Sequence, residues 1–195
     1  MTELILASGS PRRKELLQTF GVPFEVQPAD IDETANIDES ARSLVRRVAR
    51  EKAEAVHQLQ PHHAVLGSDT GVILDNRFLG KPKDADEALS MLNALSGRSH
   101  EVCSAVALIK PDGTCLEAFV TTIVWFASLP QAWIEAYVSS GDPMDKAGAY
   151  AIQNQAGIFI SRIEGSYSNV VGLPLYETGQ LLRESGLWHP QQFDN

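Results

Sequence analysis

Long apolar runs are missing from this chain of 195 residues, and so is any surplus of positive charge. No stretch approaches the ~20 apolar residues of a membrane-spanning helix. The opening segment MTELILASGS reaches acids and turn residues too early for a signal peptide. A soluble intracellular protein, with no membrane partner, is the expectation. The 16 Lys and Arg face 25 Asp and Glu, a net charge of -9. Repulsion of that sign argues against non-specific binding to nucleic acid or to anionic membranes. A small anionic ligand stays permitted, because it needs only local positive charge. Two groups of cations provide it: Arg12, Arg13 and Lys14, and then Arg42, Arg46, Arg47, Arg50 and Lys52.

Cysteine is scarce too. Cys103 and Cys115 fall in two runs expected to form a hairpin turning at Pro111-Asp112-Gly113. That register sets Cys103 near Thr121 and Cys115 near Ile109, so no disulfide is expected and both thiols read as buried. The histidines at 57, 62, 63, 100 and 189 lack zinc-ligand spacing. There is neither a P-loop nor a GxGxxG fingerprint. Aromatic and basic residues do not interleave as in a platform for single strands. Internal repeats and low-complexity segments are absent.

What is present reads as one globular domain over residues 1–195, with 44% apolar and 21% charged residues. A short strand at 3–7 leads through a turn to a helix at 11–20, with Ser10 as cap, Pro11 in the first turn and Gly21 at the exit. Residues 22–28 are extended, 29–40 are acid-rich, and a helix spans 39–59. A strand at 64–67 ends in Gly67-Ser68-Asp69-Thr70-Gly71, and a hairpin at 71–79 turns at Asp75-Asn76. A helix at 84–96 starts from a capping box, Asp84 with Glu87. The strands 100–109 and 114–126 follow, then a helix at 130–139. Residues 141–172 are irregular with a strand at 157–163, a helix covers 173–185, and the tail from 189 is loose. The fold class is α/β: a mixed central sheet flanked by helices.

Six places could carry chemistry. At 8–13 a strand enters a Ser- and Gly-containing turn and then a helix whose first turn holds Arg12 and Arg13. Unpaired N–H groups and the positive end of the dipole favour phosphate there, whereas arginines oppose that dipole unless an anion joins them. The alternative is a solvated helix start. On the helix 39–59 the apolar stripe runs through Ala41, Val45, Val48, Ala49, Val56 and Leu59, and the same face includes Lys52. Lys52 either snorkels to the edge or aims its ammonium into a cleft at a phosphate or carboxylate. Asp69, just after an apolar strand, could bind Mg²⁺ or take a proton from water; otherwise it opens an Asx turn. Lys81, in Gly80-Lys81-Pro82, points at the same cleft or into solvent. In 145–153, Gln153 offers a donor and an acceptor to a base edge, or the segment caps its own backbone. Glu33, within the acid-rich stretch, could serve a metal or simply be solvated.

Together these segments resemble the Maf family of nucleoside triphosphate pyrophosphatases. The motifs carrying the resemblance are LASGSPRRKELL (6–17), AREKA (49–53), GSDT (67–70), GKP (80–82), LSGRSHEV (95–102), DKAGAYAIQ (145–153) and GSYSNVVGLPL (165–175). The resemblance implies cleavage of a nucleoside triphosphate to monophosphate and pyrophosphate with a divalent cation, Mg²⁺ or Mn²⁺. It implies two lobes around a central cleft, a fold shared with inosine triphosphate pyrophosphatases, and a cytoplasmic homodimer. It makes Asp69 the proton acceptor and Glu33 an acidic cleft position; the expected mechanism also has Asp69, with Glu33 nearby, hold the metal. Arg12, Thr70 and Gln153 match positions that shape substrate choice; Ser8, Arg13, Lys52 and Lys81 match phosphate-side positions. The ending Ala-Ile-Gln is similar to the branch acting on dTTP and UTP, rather than the branch acting on 7-methyl-GTP. A non-catalytic nucleotide-binding regulator of cell division is the rival from another class. Two departures from the family pattern are Ser68, where Ala is usual, and Asn154, where Gly is usual.

Overall fold

Helix caps set most element boundaries. In this computed structural model, which describes residues 3–189, Ser10 caps α1 (Pro11–Gln18) by accepting from Arg13 N at 3.4 Å. Ser40 caps α2 (Ala41–Leu59) by accepting from Ser43 N, so this helix begins two residues later than expected. Asp84 accepts from Glu87 N at 2.8 Å to start α3 (Ala85–Leu95), and the Glu87 carboxylate answers on Lys83 N at 2.7 Å. The other helices are α4 (Gln131–Ser139), α5 (Tyr167–Val171) and α6 (Leu175–Glu184). Helix α5, capped by Ser166, was not expected: five residues are too short for a periodic signal. The expected strand at 157–163 is displaced, because a 3-10 segment occupies Gln155–Phe159 before the strand starts. Beyond His189, the loose tail lies outside the described residues.

Among the described residues, seven strands form one mixed sheet: β1 (Leu4–Leu6), β2 (Phe24–Val26), β3 (Ala64–Leu74), β4 (Arg77–Leu79), β5 (Ser99–Ile109), β6 (Cys115–Phe126) and β7 (Ile160–Glu164). The order is β2-β1-β3-β5-β6-β7, with β4 against β3. β2, β1 and β3 run parallel, and the remaining pairs are antiparallel. The β3–β4 turn at Asp75-Asn76 has both residues at positive φ, as a tight hairpin demands. The β5–β6 register pairs Cys103 with Thr121 and Ile109 with Cys115, as expected. Both thiols are free, but Cys115 is only half-buried, since it begins β6 next to the turn.

The long strand β3 corrects one reading. Asp69 does not follow a strand; it sits in the middle of one that runs unbroken from Ala64 to Leu74. Gly67 and Gly71 are not turn residues there. A Cβ at Gly67 would lie 2.3 Å from Ala49 O on α2, and one at Gly71 would lie 2.3 Å from the Phe78 ring. They let α2 and β4 close against the strand.

Alternate β3 residues face opposite sides. On one side, Val65, Gly67, Asp69 and Gly71 face α2. On the other, Ala64 and Leu66 pack with Leu17 of α1 and Leu182 of α6. Val72 and Leu74 pack with Leu92 of α3 and Ile134 of α4. The α2 stripe is buried as expected at Val45, Val48, Ala49 and Val56, while Leu59 at the helix end is exposed. Among the described residues no helix is long and apolar enough to cross a membrane. Gly67→Ala is expected to cost about 1–3 kcal/mol by overpacking against α2, measured as a lower urea midpoint. An unchanged midpoint would mean that α2 can retreat.

Candidate active site

One edge of β3 is shared. β5 pairs along residues 65–73 on one side. On the other, β1 takes Ala64–Leu66 and β4 takes Val72–Leu74. Residues 67–71 therefore have no strand neighbour on that edge, and a cleft of about 580 Å³ opens beside them. All nine residues singled out from the sequence line it: Ser8, Arg12, Arg13, Glu33, Lys52, Asp69, Thr70, Lys81 and Gln153. Strand alternation then sends Asp69 toward α2 and Thr70 toward the 172 turn.

Lys52 does not snorkel. Its ammonium is buried, and Nζ donates to Asp69 Oδ1 at 2.9 Å and lies 2.9 Å from Glu33 Oε1. Glu33 itself is about half exposed, with 53% of its side chain accessible. Arg47 fastens the loop that carries it. Its guanidinium donates to Thr34 O at 2.9 Å, to both Glu39 oxygens at 2.8 Å and to Glu51 at 2.8 Å. That hydrogen bonding pulls the Glu39 carboxyl down to about 2. Arg47 read as one of a group of cations; its positioning role shows only when the loop folds back on α2.

Arg13 is held in place by the protein itself. Nε donates to Gly172 O at 2.9 Å, one terminal nitrogen to Ser8 Oγ at 3.2 Å and the other to Thr70 Oγ1 at 3.1 Å. The acceptors are neutral, so its charge stays available to the cleft. Burial lowers its pKa from the usual value, and Asp69 and then Glu33 oppose that. Thr70 Oγ1 lies 2.8 Å from Ser104 Oγ, which donates to Asn169 O at 3.0 Å. Ser68, one of the two departures from the family pattern, adds a 3.3 Å bond to Gly172 O. The polar layer under Arg13 thus ties β1, β3, β5 and the α5 turn together.

The remaining cations differ in freedom. Arg12 lies 3.9 Å from Asp145, and Lys81 is exposed at the cleft wall. Gln153 is exposed in the loop after the 3-10 turns. Arg42, Arg46 and Arg50 are outside the cleft, against Glu101, the Phe119 ring and Glu117. A fifth cleft cation, Lys146, went unremarked in the sequence. It is buried, and Nζ reaches Asp145 Oδ1 at 2.7 Å and Asp142 Oδ1 at 3.2 Å. Asn154 Nδ2 donates to the same Asp142 oxygen at 3.3 Å, with φ at -104°. The backbone there does not need glycine, and Asn154 tethers the loop that presents Gln153.

A profile of the Maf family, described as Maf-like protein, matches residues 3–185. The chain belongs to the Maf family. It is similar to a protein of Anaeromyxobacter sp. (strain Fw109-5), 52% identical over 195 residues, covering 98% of this chain and 92% of the relative. It is also similar to one of Xanthomonas euvesicatoria pv. vesicatoria (strain 85-10), 51% identical over 187 residues, covering 94% of this chain and 98% of the relative. Both relatives are named dTTP/UTP pyrophosphatase. The fold is similar to that of a HAM1 protein from Coxiella burnetii, with a TM-score of 0.52 at 21% identity. That match covers 94% of this chain and 100% of the other. The expected α/β fold, a mixed sheet flanked by helices, agrees with this likeness.

Glu33 and Asp69 converge on one point and are the carboxylates there that could hold a metal. Mg²⁺ is typically held by one or two carboxylates, with phosphate and water completing the shell.

His100 also reaches the cleft, through a wall residue. Its Nε2 lies 2.7 Å from the Tyr150 hydroxyl, while buried Nδ1 has no hydrogen bond. Burial pulls the imidazole down from 6.5 to about 4. The folded state prefers the neutral ring, so this stability is full above about pH 6.5 and is lost as pH falls toward 4. The loss can reach about 3 kcal/mol. Urea unfolding between pH 7 and 4.5 should show it, and His100→Phe should flatten the slope in that window. Equal slopes would mean that His100 is not the group lost.

Proposed function

We propose that this protein is a nucleoside triphosphate pyrophosphatase that converts dTTP and UTP, and modified pyrimidine nucleotides of the same shape, to monophosphate and pyrophosphate. The observation that carries the reading is the convergence of Asp69 and Glu33 with Arg12, Arg13, Lys52 and Lys81 on one cleft. The relatives named dTTP/UTP pyrophosphatase support the same substrate pair.

In this reading Arg12, Arg13, Lys81 and the start of α1 bind the triphosphate. Ser8 and Thr70 keep Arg13 aimed. Gln153 reads the base edge, and Asn154 steadies it through Asp142. Asp69 accepts a proton from water, whose oxygen bonds to the α-phosphorus while the bond to the bridging oxygen breaks and pyrophosphate leaves. Glu33 and Asp69 would hold Mg²⁺ or Mn²⁺, which supplies charge neutralisation at the phosphoryl oxygens. Positioning and charge do most of the catalytic work. The protein works in the cytoplasm on small nucleotides, as a homodimer, without nucleic acid.

The test is incubation with Mg²⁺ and a panel of triphosphates, measuring pyrophosphate apart from phosphate. Pyrophosphate from dTTP and UTP is expected. Turnover of 7-methyl-GTP alone would move the protein to the sister branch, and no turnover would favour a binding regulator. Release of inorganic phosphate would overturn the cleavage point. Asp69→Asn should lower kcat by about 10²-fold or more, as for a lost general base; near-normal kcat would remove Asp69 from that role. Gln153→Ala should raise KM for UTP more than it lowers kcat, and a reversed split would take Gln153 away from the base.

A further inference from the structure

Lys52 stands where two carboxylates meet. Its Nζ is 2.9 Å from Asp69 Oδ1 and 2.9 Å from Glu33 Oε1, and the residue is only 8% exposed. The ammonium therefore holds the point at which those two carboxylates could share a cation. It halves their formal charge, from -2 to -1. A divalent cation arriving alone would find its two ligands bonded elsewhere and a positive charge at contact distance, a costly juxtaposition in a partly buried site. The lysine's flexible four-carbon stem can swing without any movement of α2, which packs directly on Gly67. To release both carboxylates, the ammonium needs another anion within reach of that stem. A triphosphate in the cleft supplies one.

We propose that Lys52 is an internal place-holder: it keeps free divalent cation off Glu33 and Asp69 until a triphosphate takes over the ammonium, so that metal and nucleotide enter together. Lys52 is thus a positioning residue for metal entry as well as a phosphate-side cation. The inference rests on the pyrophosphatase reading for its triphosphate.

The experiment is a titration of the ligand-free protein with Mn²⁺, read by electron paramagnetic resonance. Wild type should bind Mn²⁺ weakly alone and much more tightly with the α,β-methylene analogue of UTP. Lys52→Met should bind Mn²⁺ alone at least about tenfold more tightly than wild type, a lower bound for one unit charge removed at contact distance. The double variant Lys52→Met with Asp69→Asn should lose that gain. Equal affinity in wild type and Lys52→Met overturns the proposal, and so does a gain that survives Asp69→Asn. Circular dichroism checks folding, and Lys52→Gln carries the same titration if the Met variant does not fold. Pyrophosphate release by wild type is scored separately. Active wild type with unchanged Mn²⁺ affinity overturns the place-holder alone. Inactive wild type with the expected gain overturns the pyrophosphatase reading alone.

Discussion

One edge of strand β3 is divided between two partners. β1 takes the first three residues and β4 the last three, so Gly67 to Gly71 are left with a neighbour on one side only. In a sheet a missing neighbour is an opening, and here the opening is the cleft. Asp69 and Thr70 sit at its centre on a rigid strand rather than on a loop. Adjacent strand residues point to opposite faces. One reaches the lysine of α2, and the other reaches the arginine of α1. The two glycines complete the arrangement by letting the covering elements approach closely.

A second theme is how an acidic protein keeps cations inside a cleft. Lys52 rests on Asp69 and Glu33, Lys146 on Asp142 and Asp145, and Arg12 leans toward Asp145. Arg13 differs, because it is held by two hydroxyls and a carbonyl. Neutral acceptors orient a guanidinium without cancelling its charge. The cleft thus combines a guanidinium held by neutral acceptors with ammonium and guanidinium groups that rest on carboxylates. The net charge of -9 surrounds this small positive interior.

Much of the fold was legible in the chain. Ser10 and Asp84 announce helix starts, because capping is local chemistry between a side chain and the next turn. The Asp75-Asn76 turn and the β5–β6 register follow from residues adjacent in sequence. Lys52 on an apolar stripe declared itself as a charge that needs a partner. The reading of Gly67 and Gly71 as a turn failed because it depended on packing: α2 and Phe78 close on them. The hold on Arg13 comes from Gly172, 159 residues away.

By itself the sequence determined every helix but α5, the hairpins, the family motifs and which residue types could meet a triphosphate. These rest on propensity, capping and periodicity, all of which act over a few residues. Only the tertiary structure decided that Asp69 lies mid-strand, that Lys52 is bonded to both carboxylates, and that Arg47 and Lys146 belong to the site. Each of these depends on how segments pack against one another, which no local pattern encodes.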